Sequence, residues 1–187
     1  MKIKIYYLVL SIILLFLSCK INVNGVKSNY TKSKSEKETF FLLEQEYGSI
    51  CEISDTNKEK HVYIANGKNL NECLKKKENV IVYIWEPHCK SKVCYPLNYI
   101  ELKCDENKAE LYVIAEYYNT KLMLAENDLK SLIIGVDTKY YGTNITSKYL
   151  SKFIYDLTGE NKTNGRYLKF QKGKFVNSFK DLNLATN

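Results

Sequence analysis

Apolar residues fall into short runs separated by polar stretches, and the longest run stands near the start of the chain. Tyr6 to Leu17 is apolar except at Ser11, and Lys2 and Lys4 precede it. A stable membrane span needs about 20 residues. This run is shorter and has the basic flank and length of a secretory signal, so residues 1–18 are expected to be a signal peptide. Lys27 to Glu38 is polar and charged, with too little apolar surface for a core, and reads as a flexible tether. No later stretch is long and apolar enough to span a bilayer.

The remainder, 39–187, alternates between helix-like and strand-like patterns. Thr39 to Tyr47 mixes apolar and acidic residues and predicts a short helix. His61 to Ala65 alternates and predicts a strand ending in an Asn66-Gly67 turn. Leu70 to Lys77 predicts a helix. Asn79 to Trp85 is a continuous β-branched and aromatic run, the pattern of a central strand covered on both faces. Pro96 to Asn107 can be helical, with Pro96 at the first position, where no backbone N–H is needed. Leu111 to Ala115 is a second buried-type strand, and Lys121 to Lys130 a helix. Ser131 to Val136 is a short apolar segment. Ser147 to Leu157 has helical spacing and stops before Gly159. Arg166 to Phe170 and Lys174 to Asn177 flank Gln171-Lys172-Gly173 as a hairpin. Two buried strands joined by a helix must run parallel. The expected class is therefore an α/β sandwich whose mixed sheet has parallel central strands and a C-terminal hairpin.

Composition suits one domain, with 16 tyrosines and 7 phenylalanines supplying much of its apolar surface. Residues 1–18 hold two lysines and no acid, which leaves 26 basic against 21 acidic residues in a mature chain. That excess is spread out, without the basic stripe and interleaved aromatics of a nucleic-acid interface, so no nucleic-acid partner is expected. Motifs for serine hydrolysis, paired-carboxylate catalysis, phosphate cradling and haem attachment are missing from the sequence, and no cofactor is expected.

The chemically suggestive segment is Trp85-Glu86-Pro87-His88-Cys89-Lys90-Ser91-Lys92-Val93-Cys94-Tyr95-Pro96. It joins a buried strand to a helix, where α/β proteins place their chemistry. Positions i and i+5 of a helix lie about 8.6 Å apart at Cα, beyond the roughly 7 Å a disulfide tolerates. Cys89 and Cys94 can pair only if the stretch between them is a loop. His88, Lys90 and Lys92 beside the thiols, with a helix N-terminus after them, would favour a thiolate. A metal site from His88, Cys89 and Cys94 lacks a clear fourth ligand, and His61 has no ligand-like spacing, so no metal is assigned.

From about Val62 to Val176 this order of elements resembles the thioredoxin-like superfamily, especially its bacterial envelope lipoproteins. The resemblance rests on the aromatic-ended strand, the Cys pair before a helix, the second buried strand and the hairpin Tyr167-Leu168-Lys169-Phe170-Gln171-Lys172-Gly173-Lys174-Phe175. It implies a thioredoxin-like domain over 39–187. Redox-active members carry C-x-x-C and a cis-proline just before the hairpin. Here the pair is C-x-x-x-x-C, and the proline position falls at about Gly165. Phe16-Leu17-Ser18-Cys19 similarly resembles the lipobox of bacterial lipoproteins. This implies a diacylglyceryl group on Cys19 and residues 19–38 as a lipidated tether; ordinary cleavage further on, for instance after Val23-Asn24-Gly25, and a retained anchor helix are the alternatives.

The expected location is then the cell envelope, membrane-anchored and facing the periplasm or cell exterior. The expected partners are the membrane, through the N-terminal lipid, and other envelope proteins. Two functions stay open. One is a non-catalytic binding or scaffolding module with a structural Cys89–Cys94 loop. The other is a thiol–disulfide oxidoreductase, with Cys89 attacking beside His88 and Cys94 resolving. With Cys19 lipidated, five thiols remain, so at least one is unpaired within the chain. Cys104, on the inner side of its helix, is expected to be a buried small apolar residue. Cys51 and Cys73 could join the N-terminal segment to the domain.

Overall fold

The computed structural model describes residues 25–43, 46, 48–53, 61–91, 94–126 and 128–186. The signal peptide and Cys19 lie outside them. Fourteen elements follow in chain order, among the described residues: α1 (Tyr30–Glu36), a 3-10 turn (Glu38–Phe40), β1 (Phe41–Leu43), β2 (Val62–Ala65), α2 (Gly67–Leu74), β3 (Asn79–Trp85), α3 (Leu97–Glu106), β4 (Glu110–Ala115), α4 (Thr120–Ala125), β5 (Leu132–Val136), α5 (Thr146–Thr158), β6 (Tyr167–Gln171), β7 (Lys174–Phe179) and α6 (Leu182–Thr186). One seven-stranded sheet runs in the order β1-β2-β5-β4-β3-β6-β7. The first five are mutually parallel, and β6 and β7 are antiparallel. The α/β class, the parallel neighbours β3 and β4, and the hairpin are as the sequence predicts.

Helices cover both faces, which explains why the central strands read as unbroken apolar runs. Ile81, Tyr83 and Trp85 of β3 pack with Leu97, Ile100 and Cys104 of α3. Val80, Val82 and Ile84 point the other way, toward Leu70 and Leu74 of α2 and Tyr149, Phe153 and Leu157 of α5. The pleat sends successive side chains to opposite faces, so a strand with a core on each side has no polar position to give away.

Three expectations change. Phe41 to Leu43, read as helix, is a strand, because it pairs parallel to Val62–Ile64 and buries Phe41 completely. Sheet pairing overrides a helical pattern this short. Asn66 opens a helix rather than closing a turn: its side chain accepts from the Asn69 N–H as the N-cap of α2. The expected tether is folded from residue 27 on. Lys27 bridges Ile145, and α1 buries Tyr30 and Ser33. Tyr30 lies 5.0 Å from Tyr118 between ring centroids, so one aromatic residue ties down a polar stretch.

Ser131 to Val136 is a central strand. β5 lies between β2 and β4, and Gly135 is its tightest point. A Cβ there would sit 2.5 Å from the Tyr118 ring. The missing side chain is what lets Tyr118 lie over the sheet and donate its hydroxyl to the Val136 carbonyl at 2.7 Å.

Candidate functional site around Cys89 and Cys94

The segment after β3 is a loop. The Cys89 N–H donates to the Glu86 carbonyl at 3.0 Å, and the Cys94 N–H to the Ser91 carbonyl at 3.0 Å. These two turns bring the Cα atoms of Cys89 and Cys94 to 6.1 Å, and the pair is disulfide-bonded. The Ser91 hydroxyl lies 3.7 Å from one sulfur and 3.5 Å from the other. Both cysteines are half-buried. Helix α3 starts at Leu97, with Pro96 as its N-cap rather than its first residue. Pro96 keeps an extended backbone, and its carbonyl accepts from the N–H groups of Tyr99 and Ile100, both at 3.1 Å. Cys94 stands three residues before the start of α3 and Cys89 eight, and the disulfide holds the second beside the first. The field of a helix end falls off within its first turn.

His88 is adjacent in sequence but committed elsewhere. Its N–H donates to the Tyr117 hydroxyl at 3.1 Å, and its Nδ1 lies 2.7 Å from that oxygen. The two rings stack with centroids 5.9 Å apart. Asn119 completes the arrangement. Its Oδ1 caps α4 by accepting from the Leu122 N–H, which leaves Nδ2 to face His88 Nε2 at 3.4 Å. With Nδ2 as donor, Nε2 is the acceptor and Nδ1 carries the proton toward Tyr117. Burial holds the Tyr117 phenol above its ordinary pKa, opposed by the hydrogen bond from the His88 backbone. Both ring nitrogens of His88, an exposed residue, thus have a polar partner.

A charged clamp closes the same end of the sheet. Arg166, the only arginine among 28 basic residues, stands just before β6. It donates to Glu116 at 2.8 Å, to Glu86 at 2.9 Å and to the Ile84 carbonyl at 3.2 Å. The planar guanidinium suits this work: one fork joins the ends of β3 and β4 to the start of β6. The preceding Gly165 packs against the Phe179 backbone, with no room for a Cβ. Every peptide bond among the described residues is trans. Beside the disulfide lies a cavity of about 240 Å³, lined by Trp85, Cys89, Cys94, Tyr95, Leu122 and Glu126, among others. Burial pushes the Glu126 carboxyl pKa up.

The remaining thiols divide cleanly. Cys51 and Cys73 are bonded, with Cα atoms 5.0 Å apart, and so fasten the segment after β1 to α2. Cys104 is free and buried, and its thiol is pushed up to about 12, chiefly by burial. Among the described residues, no group of three His, Cys, Asp or Glu side chains is placed to hold a metal. No helix of the described residues is long and apolar enough to cross a membrane.

The structure brings Cys89 and Cys94 together as expected and engages both ring nitrogens of His88 with Tyr117 and Asn119. Lys90 is exposed, and Lys92 lies outside the described residues. Arg166, Glu116, Tyr117 and Glu126 were not singled out in the sequence; a lone arginine among lysines is the one signal that could have found the first. Compared with protein-family models, curated proteins and solved structures, the chain matches none.

Proposed function

We propose that this chain is an exported thioredoxin-like protein, anchored to a cell-envelope membrane by a lipid on Cys19. In this reading it is a non-catalytic binding or scaffolding module for other envelope proteins, and the Cys89–Cys94 disulfide is structural. One observation carries the non-catalytic reading: Cys89 and Cys94 are joined across a C-x-x-x-x-C loop of two turns that ends before α3 begins, not within the first turn of a helix. The engagement of His88 supports it, because both of its ring nitrogens already have partners in Tyr117 and Asn119.

The test is the reduction potential of the Cys89–Cys94 pair, measured by equilibration with a thiol buffer and alkylation. A structural disulfide should lie below about −300 mV. A value in the range of exchange catalysts, together with turnover of a disulfide substrate, would overturn the proposal. That outcome would establish the second reading, a thiol–disulfide oxidoreductase with Cys89 attacking and Cys94 resolving. What favours the second reading is that both half-buried sulfurs line the cavity with Glu126, whose raised carboxyl could hold a proton there.

A further inference from the structure

The chain enters the fold at one end of the sheet. The Thr146 N–H donates to the Val26 carbonyl at 3.0 Å, and the Ser28 N–H to the Asn144 carbonyl at 2.8 Å. The Ser28 carbonyl accepts from the Tyr118 N–H at 2.7 Å. Tyr118 follows β4 and Asn144 follows β5, so these bonds fasten residues 26–28 to loops at the carboxyl ends of the parallel strands. The disulfide loop lies at that same end, after β3. Gly25 sits against Tyr117, where an added Cβ would be 3.3 Å from the ring. The hydroxyl of the same tyrosine holds His88, the neighbour of Cys89.

We propose that the domain is held with the carboxyl end of its sheet, disulfide loop included, turned toward and against the bilayer that carries the Cys19 lipid. The inference rests on the Cys19 anchoring proposed above. Six Cα–Cα steps separate Cys19 from Gly25. In any conformation they span at most about 21 Å. The surface at the attachment point suits a bilayer boundary. Val26 is 51 % and Ile145 36 % exposed, and exposed Lys27 and Lys148 flank them. Apolar tips can enter the boundary while the lysine stems run along it and their ammonium groups meet lipid phosphates. The opposite end of the sheet, where α2 ends and the β6–β7 turn meets Lys77, stands farther away by about 20 Å, the length of a central strand.

The experiment uses the full chain with its native N-terminal modification, reconstituted into vesicles whose lipid headgroups carry an energy acceptor. A donor is placed on Ser147→Cys, beside the attachment point, or on Lys76→Cys, past α2 at the far end. Both positions are exposed. Cys104 is buried and the four other described cysteines are paired, so the new thiol is the one labelled. Strong transfer from position 147 and its loss at position 76 are expected. Equal transfer from both, or stronger transfer from 76, overturns the orientation. The intact mass of the same preparation separates the two premises. Cys19 without its diacylglyceryl group overturns the anchoring and this inference together. A lipidated Cys19 with equal transfer overturns the orientation alone.

Discussion

Two disulfides lie on opposite sides of β3 in the chain and differ in span and in the burial of their partners. Cys51–Cys73 spans a sequence separation of 22 and ends at a side chain that is 1 % exposed. Cys89–Cys94 spans 5, lies in a loop and leaves both residues half-buried beside a cavity. The first joins parts of the chain that local hydrogen bonding would not hold together. The second closes a turn whose backbone bonds already bring its ends close. In the chain-entropy description, a cross-link stabilises by what it removes from the unfolded ensemble, and that grows with the loop enclosed. The two bonds therefore share a chemistry but differ in the entropy each removes and in access: both residues of the shorter bond are half-buried, whereas the longer offers Cys51 alone, beside a cavity of about 360 Å³.

The largest expected effect is on the longer loop. Cys51→Ala with Cys73→Ala should cost about 3 kcal/mol of stability, read from urea melts. Cys89→Ala with Cys94→Ala should cost about 2 kcal/mol or less. A reversal of that order would break the comparison. Mild reduction of the folded protein, followed by alkylation and mass analysis, should give the same order in time. Cys89 and Cys94 should be modified first, Cys51 and Cys73 more slowly because only Cys51 is half-buried, and Cys104 last, on unfolding.

The third thiol sharpens the contrast by pH. Burial raises Cys104 from an ordinary value of 9.0 to about 12. Its stabilising contribution is complete below pH 9. Above that, the unfolded chain has released a proton that the folded chain still holds, so stability falls as pH rises toward 12. The slope for one such thiol is about 1.4 kcal/mol per pH unit. Cys104→Ala should remove that part of the alkaline decline in chemical melts at pH 8, 9 and 10. An unchanged slope would mean that the thiol is not buried as described.

The smallest effect is on the clamp. Arg166→Met should cost about 1 kcal/mol, because the guanidinium is part-exposed and solvent screens its two partners. It should also speed reduction of Cys89–Cys94 without changing that of Cys51–Cys73, since only the first disulfide lies at the clamped end of the sheet. Equal acceleration of both would show a global loosening instead.

The runs that form β3 and β4 were legible because a strand covered on both faces has no polar residues to obscure it. The turn at Cys89 was legible from Pro96 and the geometry of an i,i+5 pair. β5 was harder: it is five residues long, and its glycine weakens a strand pattern unless Tyr118, seventeen positions away, is known to fill the space. The folded segment before β1 was misread because its stability comes from hydrogen bonds to Asn144, Thr146 and Tyr118, which leave no mark on its own polarity. Arg166 and Glu116 were invisible for a similar reason. They are 50 residues apart, and only the sheet makes them neighbours.

The fit of Tyr118 over Gly135 makes the N-terminal mounting depend on a hydrogen atom in the middle of the sheet. A methyl group there would displace the ring that packs on Tyr30 and Phe41 and would move the amide that holds Ser28. Such a lesion could leave the strands and both disulfides in place while freeing residues 26–36 from the domain. Residues 26–36 would then hang from the domain at Lys37 instead of lying fixed along it. The conformation of the N-terminal segment therefore depends on position 135 as much as the packing of the sheet does.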